Sequence, residues 1–184
     1  SFSTSEQQMI QRIWSAVAED FAPFDVNVTT IDPGTDALRN SGGGDTQWGG
    51  RVVIGPNSFY SSAGGVAYVG SFDWSTDTPS FVFNSSEVGV REAISHEVGH
   101  MLGVVHDGTS SVSYYSGHGS GATSWSPIMG VGYYTTISQW SKGEYDNANN
   151  LEDDLSIITT ANGFGYRTDD IGNTSGSSTA LSTN

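Results

Sequence analysis

From Ser5 to Phe21, Met9, Ile10, Ile13, Trp14 and Val17 recur at the spacing of one helical face, and Ser5 with Gln8 is placed like a capping box. The pattern predicts an amphipathic helix that Pro23 ends. Val26-Asn27-Val28-Thr29-Thr30 then alternates like a strand with one buried face, and a Gly/Asp-rich loop follows from Asp32 to Gly50. Three more runs read as strands of one sheet: Arg51 to Ile54, Gly65 to Gly70 and Phe81 to Phe83, each bounded by Gly, Pro, Asn or Ser.

Between Glu87 and Leu102, Val90, Ile94, Val98 and Met101 mark one side of a helix while His96 and His100 fall on another. The stretch from Asp107 to Tyr134 is rich in Gly, Ser and Tyr and too long to be an idle connection. A last helix is predicted from Leu151 to about Ala161, with Asn150 as N-cap and Glu152, Asp153 and Asp154 in its first turn, where the helix dipole favours negative charge. Thr168 to Asn184 is Ser/Thr/Gly-rich, so the chain divides into one domain over residues 1–167 and a tail or linker over 168–184.

Composition narrows the partners. Six Lys+Arg against 20 Asp+Glu leave a formal charge of -14, which repels phosphate backbones and argues against nucleic acid and anionic membranes. No apolar run approaches a membrane span, and Ser1-Phe2-Ser3-Thr4 lacks the regions of a signal peptide, so any targeting segment would already be gone. With no cysteine in the chain, a metal must be held by His, Asp, Glu or backbone oxygen. The Gly content, Ser/Thr-rich loops and acidity suit an exported protein, expected as a monomer.

The chemistry sits in His96-Glu97-Val98-Gly99-His100-Met101-Leu102-Gly103-Val104-Val105-His106. On a helix His96 and His100 are one turn apart and both imidazoles can reach one zinc ion. Glu97, beside the first histidine, is the general base that would hold and deprotonate a water at the metal. Gly103 allows the sharply turned backbone that brings His106 round as third ligand. Three protein ligands leave a fourth position open, the arrangement of catalytic zinc.

This run resembles the extended zinc signature of the metzincin clan of metallopeptidases. Asp107 after the third histidine is similar to the adamalysin/reprolysin branch, and the absence of cysteines points to a bacterial relative. Gly65 to Gly70 resembles the sheet-edge strand to which extended substrates add in that branch, and Ser126-Pro127-Ile128-Met129-Gly130 resembles the Met-turn, an apolar floor beneath the ligands. Astacins and serralysins place a tyrosine two residues after that methionine; here the position is Val131, and Tyr133 and Tyr134 follow. The resemblance implies an α+β domain with a twisted, mostly parallel sheet, an antiparallel edge strand, an active-site helix and a C-terminal subdomain after Gly103. It also implies a secreted zinc endopeptidase acting on extended peptides.

Three further expectations complete the reading. His118 is a candidate substrate contact, Val131 to Tyr134 a candidate pocket wall, and calcium a candidate second ion among Asp32, Asp36, Asp45, Asp146, Asp153 and Asp154, although no run matches an EF-hand or RTX loop. Two alternatives stay open: a binding or adhesion module with a zinc site for structure only, and zinc hydrolysis of a non-peptide amide.

Overall fold

The computed structural model describes residues 2–56, 60, 63–169, 174 and 176. Most of the tail expected over 168–184 therefore lies outside the described residues. The first helix, α1, spans Thr4–Asp20. Its capping box is Ser3 with Glu6 rather than Ser5 with Gln8: Ser3 Oγ accepts from the Glu6 amide at 3.4 Å and Glu6 Oε2 accepts from the Ser3 amide at 2.7 Å. The same spacing two residues earlier offers a carboxylate, which the positive end of the helix dipole favours over an amide.

The strand expected over Val26–Thr30 does not form. Its polar groups are used otherwise, the Val26 amide turning back onto Phe24 O at 2.9 Å and Val28 O accepting from the Trp14 indole at 2.8 Å. Neighbouring Phe24 forms an isolated bridge to Tyr166 instead.

Three short strands build the main sheet: β1 (Val52–Ile54), β2 (Gly65–Val66) and β3 (Ser80–Val82). β3 is central, pairing parallel with β1 (Val53 opposite Phe81) and antiparallel with β2 (Gly65 opposite Val82). The sheet is thus mixed rather than mostly parallel, and the antiparallel strand at its edge is the Gly65 run, shortened to two residues.

Helix α2 (Glu87–Met101) packs against this sheet, capped by Ser86, whose hydroxyl accepts from the Gly89 amide at 3.1 Å. Val90 and Met101 are buried and Ile94 and Val98 pack partly buried against the core, as their spacing predicts, but Glu97 and His100 are buried too. The helix is enclosed nearly all round. α1 locks to it through Arg12 and Glu87 (2.7 Å) and through Ser95 Oγ donating to Asp20 Oδ2 (2.6 Å). Ile13, Val17, Phe21 and Phe24 join Val82, Val90, Ala93 and Leu102 in one core. Burial pushes the Asp20 carboxyl up to about 7, against the stabilising hydrogen bond from Ser95.

Beyond α2, strands β4 (Trp125–Pro127) and β5 (Ile137–Gln139) pair in parallel, Ser126 opposite Ser138. The last helix, α3, spans Asp154–Ala161 with Asp153 as N-cap, not Asn150. Asn150 Oδ1 instead accepts from the Glu152 amide at 3.0 Å, which closes a turn and delays the helix by three residues. No described helix is long and apolar enough to cross a membrane.

Candidate metal centre

His96 and His100 project from one face of α2. The helix ends at Met101 with Leu102 as its C-cap, and Gly103, at φ +99°, takes the left-handed conformation that a side chain would resist. The Gly103 amide donates to His100 O and the Val104 amide to Gly99 O, so the chain doubles back and presents His106 to the helix. The ligand nitrogens of His96, His100 and His106 lie within 4.8 Å of one another, the one such triad among the described residues. His100 Nε2 and His106 Nε2 are 2.9 Å apart.

Two of the rings are oriented from behind. His96 Nδ1 is 3.0 Å from Ile128 O and His100 Nδ1 is 2.9 Å from Val104 O. A carbonyl can only accept, so each Nδ1 carries the proton and each Nε2 faces the triad with a free lone pair. Burial pushes the His96 imidazole down to about 3, with the neighbouring His100 adding to it, and holds His100 and His106 below the ordinary histidine range. Three neutral imidazoles with converging lone pairs are a donor set that fits zinc.

Met129 is fully buried against α2. A Cβ on Gly99, the residue before His100, would stand 2.5 Å from Met129 Sδ, so the helix and the methionine meet in close contact there. The Met129 carbonyl accepts from the Asp107 amide at 2.9 Å, tying the methionine's segment to the third histidine.

Glu97 faces the other way, toward the edge strand. It is 6% exposed, and burial pushes its carboxyl up to about 7. A cleft of about 250 Å³ opens in front of it, lined by Gly64, Gly65, His96, Glu97, Tyr114, Val131 and Tyr133 among others. Val131 and Tyr133 thus form the wall that their sequence position suggested, and the Tyr133 hydroxyl accepts from Asn84 Nδ2 at 3.3 Å. Tyr134 is 83% exposed and packs edge-on to Tyr133.

Other candidates lie elsewhere. His118 is exposed, with Nδ1 3.0 Å from the Tyr115 hydroxyl and its ring against Trp125, outside the cleft lining. Four of the acidic residues offered for calcium are engaged locally: Asp36 pairs with Arg39, Asp45 accepts from the Ser41 and Gln47 amides, Asp153 caps α3 and Asp154 accepts from the Ser141 amide. No three of them converge among the described residues. Sequence reasoning missed Tyr114, whose ring packs on His106 with centroids 4.3 Å apart, and the role of Gly65; the only signal for the former was an aromatic pair in the loop after His106.

A histidine triad on a helix and its following turn, with a buried carboxylate beside it in a mixed α+β domain, defines a metzincin-like zinc metallopeptidase. The family model Reprolysin_5, metallo-peptidase family M12, matches residues 35–141, which takes in the sheet, the triad and Met129, and the chain belongs to that family. No curated protein matches the chain significantly.

Proposed function

We propose that the protein is a secreted, extracellular zinc endopeptidase that binds extended peptides along β2 and cuts them with Glu97 as general base. The observation that carries this reading is the position of Glu97: beside the triad, outside its ligand set, and at the cleft that β2 borders. His96, His100 and His106 would hold the zinc, which when bound supplies Lewis-acid polarisation of the scissile carbonyl and of water. Glu97 takes a proton from the attacking water and passes it to the leaving amine. Its burial supports both halves, because a carboxylate raised toward neutrality gives the proton back as readily as it takes it.

Ser126 to Gly130 serves as the Met-turn, with Met129 as the apolar floor, and the segment after Gly103 as the lower subdomain, so that the cleft runs between the two halves. The substrate adds antiparallel to β2, its backbone hydrogen bonds giving affinity and the Val131–Tyr133 wall giving side-chain preference. The protein acts as a monomer, without nucleic acid or membrane.

Glu97→Gln tests the reading, since it removes the base while keeping shape and a hydrogen-bonding group. Wild type cleaves unfolded casein; the variant folds, keeps its zinc and loses about 10²–10⁴-fold in rate. Equal cleavage by both proteins overturns the mechanism, and a silent wild type favours a binding module.

A further inference from the structure

Among the described residues, Tyr114 is the aromatic side chain that packs against the histidine triad. Its ring lies 4.3 Å from His106 and 6.1 Å from His96, centroid to centroid, and it lines the cleft with Glu97 and Tyr133. The chain builds this position deliberately from far-apart segments. The Asp107 amide donates to Met129 O, the Tyr115 amide to Asp107 O, and the Val131 amide to Tyr115 O, at 2.9, 2.7 and 2.9 Å. Tyr115 is thereby stitched between the residue after the third histidine and the cleft wall. Gly108 closes the loop so tightly that its Cβ would stand 2.3 Å from Val112 O, and Thr109 amide to Val112 O (2.8 Å) completes the turn. Tyr114 has little choice of where to go.

Its hydroxyl differs from those of its neighbours. Tyr133 uses its hydroxyl to accept from Asn84, and Tyr115 places its own against His118 Nδ1. Tyr114 has no hydrogen-bond partner among the described residues, and it lines the same cleft as Glu97 and Tyr133. Tyr114 is 44% exposed, so its unpartnered hydroxyl is open to the cleft and to whatever occupies it.

We propose that Tyr114, from the loop after the third histidine, is a catalytic residue whose hydroxyl donates a hydrogen bond to the oxyanion of the tetrahedral intermediate. This rests on the endopeptidase reading. As the water oxygen bonds to the scissile carbon, its proton goes to Glu97 and the carbonyl π pair moves onto oxygen, where Tyr114 meets the new charge. When that pair returns, the C–N bond breaks and Glu97 protonates the leaving nitrogen. Tyr114 keeps its proton throughout. Tyr133, whose hydroxyl faces Asn84, shapes the pocket, and Tyr134 takes no part.

The test compares zinc-loaded full chains carrying Tyr114→Phe and Tyr133→Phe on a fluorogenic peptide with one casein-derived cleavage site. Tyr114→Phe keeps the ring on His106, so zinc content and melting temperature stay at wild-type values. Its kcat falls about 10²-fold with KM within about twofold, the cost of removing one oxyanion donor. Affinity for a phosphinic peptide, which mimics the tetrahedral state, falls by a similar factor. Tyr133→Phe moves KM instead. Unchanged kcat and phosphinic affinity in Tyr114→Phe, in an enzyme that Glu97→Gln silences, overturns the role of Tyr114 alone. A rise in KM only makes Tyr114 a substrate wall, and a fall in zinc content makes it a cover for His106; either overturns the proposal. A wild type that cleaves nothing overturns both readings.

Discussion

The carboxylate of Glu97 rests against the α-carbon of Gly65: a Cβ at that position would stand 2.5 Å from Glu97 Oε1 and 2.7 Å from Cγ. The strand that borders the cleft and the residue that would do its chemistry therefore touch where no side chain intervenes.

Gly65→Ala tests that contact. Strand geometry tolerates alanine, so β2 keeps its pairing with β3, but Glu97 must turn away from the new methyl. The expected outcome is a fall in kcat of about 10²-fold, the cost of misplacing a reacting group by about an ångström, with zinc content unchanged. Steady-state kinetics with metal analysis checks this, and full turnover by the variant would show that Glu97 is not held by this contact.

One zinc per chain is the expected stoichiometry, and His100→Ala should weaken it by more than the roughly 10–100-fold that loss of an outer-shell partner costs. Elemental analysis after dialysis against a weak chelator reads this directly. Full occupancy in the variant excludes His100 as a ligand.

Met129→Glu places a carboxylate in a fully buried, apolar position against Gly99. Burying an unpaired charge costs on the order of 3 kcal/mol, which lowers the melting temperature by about 10 °C for a chain of this size. Zinc retention should fall with it, because Met129 O holds the amide of Asp107, the residue after the third histidine. A variant with wild-type melting temperature and metal content contradicts the Met-turn assignment.

Asp154 sets a pH dependence of stability. Burial pushes its carboxyl up to about 8, against the hydrogen bond from the Ser141 amide, with Asp107 and Glu152 adding to the rise; its Oδ1 has no partner. A raised folded-state value means the native state holds the proton more tightly than the unfolded chain. This contribution is therefore complete below about pH 4 and is lost as pH climbs toward 8. Between pH 6.5 and 9, wild type should lose several degrees of melting temperature more than Asp154→Asn, whose amide keeps the Ser141 bond and carries no charge. Parallel curves for the two proteins would show that Asp154 is ionised at no cost.

What was legible in the sequence was what depends on helical period and turn chemistry. His96, His100, Gly103 and His106 meet in space because 3.6 residues per turn and one left-handed glycine dictate it. The first helix was legible in its apolar face but not in its cap, because two capping patterns lie two residues apart. Tyr114 and the parallel β4–β5 pair were not legible. Trp125-Ser126-Pro127 neither alternates nor favours a strand, and is made one by Ser138 across from it. Tyr114 reaches His106 through hydrogen bonds linking residues 107, 115, 129 and 131, a relation that no local window contains.

The two carbonyls behind His96 and His100 bear on how this metal site fills and empties. One, Val104 O, comes from the turn just after α2 and the other, Ile128 O, from a segment well beyond it in the chain, and the protein's own fold supplies both. Ion capture then has little conformational entropy left to overcome, unlike small domains whose ligands are ordered only by the metal. Chelation should behave as a reversible exchange on a standing frame: the stripped chain keeps its secondary structure, and added zinc restores the site without a refolding phase.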